Sequence, residues 1–179
     1  MKGIVSKLIS MTIQKKTGYK VNIQLNDLDI KIIDGEAHFH ADVDGTINKD
    51  EFMKIINNSL ENGYTLVWDG DCSEAAYVFS KELCIVPVDK SLTRKQIEEV
   101  VEKEIIPEIE VDQAVRQQMF ETNATVDDHL EHITGIVTDQ EGVKYYKTKN
   151  SWGTERNGSG YHYMSENFVK AKTISILVH

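Results

Sequence analysis

An α+β fold is what this 179-residue chain predicts, and three features predict it. Apolar positions recur at helical spacing around residues 50–62, 91–104 and 112–122, short apolar or aromatic runs dominate after residue 126, and compact turn signals separate them. The expected product is a β-rich body with peripheral helices, preceded by a helix and a β-hairpin.

The elements follow in order. Apolar residues at 4, 5, 8, 9, 11 and 13 suit an amphipathic helix. After Gly18 the period changes: Val21, Ile23 and Leu25 alternate with polar residues, and a second alternating run covers 36–43. Asp34-Gly35 lies between the two runs and favours a type I′ turn, so residues 1–46 read as a helix plus hairpin module of unknown origin and 47–179 as a second unit. On the second strand Ala37, Phe39, Ala41 and Val43 share one face, leaving Glu36, His38, His40 and Asp42 on a solvated one.

Asp42, Asp44, Gly45, Ile47 and Glu51 also match loop positions 3, 5, 6, 8 and 12 of a helix-loop-helix calcium site. Position 1 is His40, a poor ligand for a hard cation, and the incoming segment reads as a strand. The competing reading of Asp42, Asp44 and Glu51 is therefore a strand, an acidic turn and a helix capped by Thr46 or Asn48.

Phe52, Met53, Ile55, Ile56 and Leu60 form the next helical stripe, and Asn62-Gly63 ends it. A strand at 64–68 with a turn at Asp69-Gly70-Asp71 follows, then a strand at 83–88 that holds Cys84 and stops near Pro87. A charged helix from Ser91 reaches Glu104 with Ile97, Val100, Val101 and Ile105 inward, and a shorter one covers 112–122. Strands are expected near 128–135, 145–149, 161–164 and 172–178.

Net charge is -9 with a sequence pI near 5.1, which excludes a nucleic acid or an anionic membrane surface as the main partner, since both need a basic face. The apolar stretch at 4–13 is interrupted by Ser6, Lys7, Ser10 and Thr12, so it is neither a signal peptide nor a membrane span, and a cytoplasmic location is expected. Cys72 and Cys84 are too few for a disulfide framework and fit no metal-ligand spacing; no cofactor is expected.

Two stretches carry the chemistry. One is Asp127-Asp128-His129-Leu130-Glu131-His132-Ile133-Thr134-Gly135, the other Tyr145-Tyr146-Lys147-Thr148-Lys149-Asn150-Ser151-Trp152-Gly153. A turn signal at Asp139-Gln140-Glu141-Gly142 makes them neighbouring antiparallel strands, which sets a histidine at the start of one near an asparagine at the end of the next. An imidazole held by a side-chain amide is the base-plus-orienter part of a nucleophilic catalytic site.

These residues, with Gly160-Tyr161 closing the pattern, resemble the papain superfamily. The doubled acid before His129 and the second histidine, His132, are similar to the bleomycin hydrolase and aminopeptidase C branch, and the likeness extends from about residue 48 to the end through the Asn62-Gly63-Tyr64 and Trp68-Asp69-Gly70-Asp71 segments. It implies the barrel-like antiparallel C-terminal half of a papain-like fold. It also implies that His129 is the catalytic histidine, Asn150 its orienting partner and Trp152 the ring that shields their hydrogen bond.

A site of that kind needs a thiolate, which the family carries in a Gln-x-x-Cys-Trp segment roughly 130 to 150 residues before the histidine. Neither Cys72, among acidic neighbours, nor Cys84, in a strand, has that context, and only 128 residues precede His129. The nucleophile is therefore absent, and the expectation is the His/Asn half of a cysteine aminopeptidase, inactive alone. The alternatives are a module that binds a peptide, a partner or calcium, and one chain of a split peptidase completed by a cysteine-bearing chain. An uncovered apolar face would favour a homo-oligomer.

Overall fold

The computed structural model describes residues 49–178 throughout and, before them, the backbone of β1 (Asn22–Gln24), β2 (Asp29–Lys31) and β3 (Ala37–His40). The helix expected at 4–13, the Asp34-Gly35 turn, the cap at Thr46 or Asn48, and Asp42 and Asp44 lie outside the described residues. The strand pairing differs from the expected hairpin: β1 pairs antiparallel with β2, Ile23 opposite Ile30, whereas β3 joins a larger sheet. Residues 29–31 offer a nearer partner than 36–43, and a shorter loop costs less entropy to close.

Helix α1 (Lys49–Glu61) buries Phe52, Met53 and Ile56 along one stripe. Its C-terminus is closed by Gly63 at φ +82°, with Gly63 N–H donating to the Leu60 carbonyl and Tyr64 N–H to that of Ser59, the paired bonds of a Schellman cap. Glu51 is exposed on this helix. Among the described residues no group of three or more His, Cys, Asp or Glu side chains is arranged to hold a metal ion.

The remaining strands are β4 (Leu66–Gly70), β5 (Tyr77–Val78), β6 (Leu83–Cys84), β7 (His129–Thr138), β8 (Lys144–Lys149), β9 (Tyr161–Ser165) and β10 (Thr173–Val178). They line up as β3-β10-β4-β7-β8-β9-β6-β5 in one eight-stranded sheet. The sheet is open rather than barrel-like, and β6 runs parallel to β9 where full antiparallel order was expected. The reason lies in β5 and β6: each has two residues, and the run expected to continue to residue 88 stops at Cys84, with Pro87 reduced to an isolated bridge to Glu108.

Helices α2 (Arg94–Val100), α3 (Gln113–Glu121) and α4 (Glu166–Lys172) lie around this sheet. Thr93 and Gln96 form a reciprocal capping box on α2, which ends four residues earlier than its charged pattern suggests. Helix α4 falls where no helix is expected; Ser165, whose side chain accepts from Phe168 N–H, is the cap that marks it. Arg116 on α3 donates to the carbonyls of Lys170 and Thr173 and so ties α3 to the α4–β10 junction.

The main core gathers Phe52, Ile56, Trp68, Tyr77, Ile133, Tyr146, Met164, Phe168 and Ile176. Its centre is the Trp68 indole, fully buried, whose Nε1–H donates to the Thr173 hydroxyl at 2.8 Å. A smaller cluster of Ala76, Val78, Ile85, Ile97 and Ile106 seats α2.

Candidate functional site

The β7–β8 hairpin turns at 139–142, where Asp139 N–H donates to the Val143 carbonyl and Gly142 takes φ +85°. Its register pairs His132 with Lys149, so one step further Asn150, just past the end of β8, falls opposite Glu131, with His129 two residues along the same face of β7. The His129 Nε2 atom lies 3.1 Å from Asn150 Oδ1. The Trp152 ring lies beside that contact, 5.1 Å from the imidazole and edge-on to Phe79 and Tyr77, with the Arg156 guanidinium over the indole at 4.9 Å. The three residues singled out from the sequence therefore meet in space.

Asn150 is itself held from behind. Its Nδ2 donates to the Tyr77 phenol oxygen at 2.7 Å and to Glu131 Oε1 at 2.7 Å, and the Tyr77 hydroxyl donates to the same Glu131 oxygen. The Glu131 side chain is fully buried, with His129 Nε2 at 3.6 Å from Oε1. On its far side His162 Nε2 lies 3.0 Å from Oε2, off the line of a hydrogen bond, and neither ring nitrogen of this fully buried histidine has another hydrogen-bond partner. Burial pushes the Tyr77 phenol far above its usual range, with nearby Cys84 and the Glu131 carboxylate adding to the effect, so Tyr77 remains a hydrogen-bond donor.

Tyr77, Glu131 and His162 were missed in the sequence. Glu131 could have been found by strand period alone, since His129, Glu131 and Ile133 share a face while Leu130 and His132 share the other. Hydropathy argues the opposite placement: Leu130 is 62% exposed and Glu131 only 5%. His132 instead meets the Thr65 hydroxyl at 2.7 Å on the exposed side.

Neither cysteine offers a ready thiolate. Cys72 follows β4, where Gly70 is the cross-strand partner of His129, and its N–H donates to the Asp128 carboxylate at 3.0 Å. Burial, then the Asp128 hydrogen bond and charge, push its thiol up to about 12. Cys84 is fully buried in β6, and desolvation raises its thiol well above the ordinary range.

No protein-family model and no curated protein matches the chain. Among solved structures it is similar to PepW from Lactobacillus rhamnosis, at 15% identity and TM-score 0.49, over 72% of this chain and 26% of that one. It is also similar to the bromelain protease from Ananas comosus, at 17% identity and TM-score 0.38, over 73% of this chain and 44% of that one, and to the ragweed pollen cysteine protease Amb a 11, at 14% and 0.42, over 84% and 34%. The chain thus spans between about a quarter and a half of these proteins' lengths.

Proposed function

We propose that this chain supplies the histidine and amide half of a papain-type cysteine peptidase site, of the aminopeptidase branch that its motifs resemble, and that it hydrolyses no peptide alone. The observation that carries this reading is the His129–Asn150 contact beside Trp152. With Nε2–H donated to Asn150, Nδ1 is the imidazole atom left to take a proton from a thiol. The thiolate so formed would attack a peptide carbonyl, and the protonated imidazole would return that proton to the leaving amine. The His129 side chain keeps 19% of its exposure, enough for one ring edge to meet a reactant, whereas those of Glu131 and His162 keep none.

The thiol in this reading comes from outside the two cysteines of the chain. A complementing chain that carries a Gln-x-x-Cys-Trp segment is the natural donor, since that segment would bring both nucleophile and oxyanion donor. Assay with a fluorogenic aminoacyl amide, followed by mass spectrometry for an acyl-thioester, tests the reading. Background turnover and an unmodified Cys72 are expected; an acyl group on Cys72 that disappears in His129→Ala would overturn it.

A further inference from the structure

Three polar side chains contact the Asn150 amide, those of His129, Tyr77 and Glu131, and of these only His129 keeps an exposed edge. Asn150 Nδ2 has two hydrogens, and both are used, one on the Tyr77 oxygen and one on Glu131 Oε1. Glu131 Oε1 in turn accepts from Tyr77 as well as from Asn150, so that oxygen acts as an acceptor only. A flipped amide would set Oδ1 against the carboxylate oxygen and leave a buried acceptor without its donor, an arrangement that costs more than the hydrogen bond is worth in the open. The amide therefore has one orientation, with Oδ1 toward His129.

From this orientation the state of the neighbouring ring follows. Oδ1 can only accept, so His129 Nε2 must carry a hydrogen, and Nδ1 of the neutral ring is bare. We propose that Glu131 is a positioning residue: by anchoring the Asn150 amide it sets the His129 imidazole in the Nε2–H tautomer and keeps Nδ1 free as the proton acceptor. Its catalytic meaning rests on the role proposed for His129 above, while the hydrogen-bond chain itself does not.

His162 completes the arrangement. It stands 3.0 Å from Oε2, in a pocket walled by Tyr77 and Phe79, whose rings meet its own at 5.1 and 5.5 Å. A hydrogen on Nε2 would face the carboxylate and leave only a lone pair on Nδ1, whereas a hydrogen on Nδ1 would be a buried donor with no acceptor. His162 therefore stands beside the second carboxylate oxygen without a hydrogen bond to it, while Oε1 accepts from Asn150 and Tyr77.

Nitrogen-15 NMR of the histidine rings in the intact chain reads the tautomer without any substrate. In the parent chain, with the ring neutral, the His129 Nε2 signal is expected as a protonated nitrogen and Nδ1 as a bare one. In Glu131→Met, and in Glu131→Gln should the first not fold, the ratio of the two tautomers is expected to fall about tenfold or more, the loss of one hydrogen bond to a charged group. Tyr77→Phe should shift the ratio in the same direction by less. An unchanged ratio in either Glu131 variant, with native circular dichroism, overturns the proposal. If the shift occurs but a complementing thiol chain restores no hydrolysis, the functional reading fails and the positioning role of Glu131 stands.

Discussion

The Trp152 indole lies over the His129 imidazole with ring centroids 5.1 Å apart and planes inclined by 31°. Tyr77 and Phe79 brace the indole edge-on, which holds Trp152 in place against the imidazole. Trp152→Ala should cost about 2–3 kcal/mol, less than a fully buried aromatic because Trp152 is half-buried, and Trp152→Phe clearly less. Urea denaturation of both variants checks the order; equal losses would show that ring area contributes nothing.

Two glycines beside the site should respond in opposite ways to one added methyl. At Gly70, the cross-strand partner of His129, a Cβ would collide with the Lys172 carbonyl and the Trp68 ring, backbone and a fully buried indole that cannot retreat. At Gly135, on the same sheet, a Cβ meets nothing within 4 Å. Gly70→Ala should lower the melting temperature by about 2–12 °C, roughly 1–3 kcal/mol of overpacking, and displace the His129 ring resonances. Gly135→Ala should do neither.

Alkaline pH should loosen the fold through its thiols. The Cys72 thiol, pushed up to about 12 in the folded chain against an ordinary 9.0, favours the protonated form, so its contribution is fully present below pH 9. As pH rises from 9 towards 12 the unfolded chain ionises first, and stability falls. Buried Cys84 acts in the same direction. Urea midpoints at pH 7.5, 9 and 10.5 should therefore decline, and less steeply in Cys72→Ala. Iodoacetamide at pH 8 should label Cys72 roughly three orders of magnitude more slowly than a free thiol, unaffected by His129→Ala and faster in Asp128→Asn.

The bond between Trp68 and Thr173 invites a deletion that keeps shape. Thr173→Val preserves volume but leaves the indole N–H, fully buried, without an acceptor. A loss of about 1–3 kcal/mol is expected in chemical denaturation, and Trp68→Phe in the same background should add less than it does alone, since the orphaned donor is gone.

Much of this arrangement was legible in the residues. The strands at 129–138 and 144–149 follow from alternation and the Asp139-Gly142 turn, and the contact of His129 with Asn150 from their register. Helix α1 ends where Asn62-Gly63 said it would. What stayed hidden was non-local. Tyr77 belongs to a two-residue strand too short for any period, and its role depends on Asn150, 73 residues away. Glu131 was marked by the strand period but masked by hydropathy, because a carboxylate beside Leu130 reads as the exposed member of the pair. Helix α4 has seven residues and runs directly into β10, so its apolar positions merged with the strand pattern. The parallel pairing of β6 with β9 joins residues about 80 apart and leaves no local trace.

The place of β10 in the sheet also sets the order of events in time. It lies between β3 and β4, the Trp68 indole waits for Thr173 across 105 residues of sequence, and Asp69 waits for Ser175 across 106. During synthesis the β7–β8 hairpin can form early, but the strand on which β4 and β3 both close emerges only after residue 173. Such distant pairing makes for slow folding, governed by loop closure rather than by helix or hairpin formation. Until it is complete the flank of β4 is an open template, and a nascent chain stalled before residue 173 should depend on chaperone cover far more than the finished one.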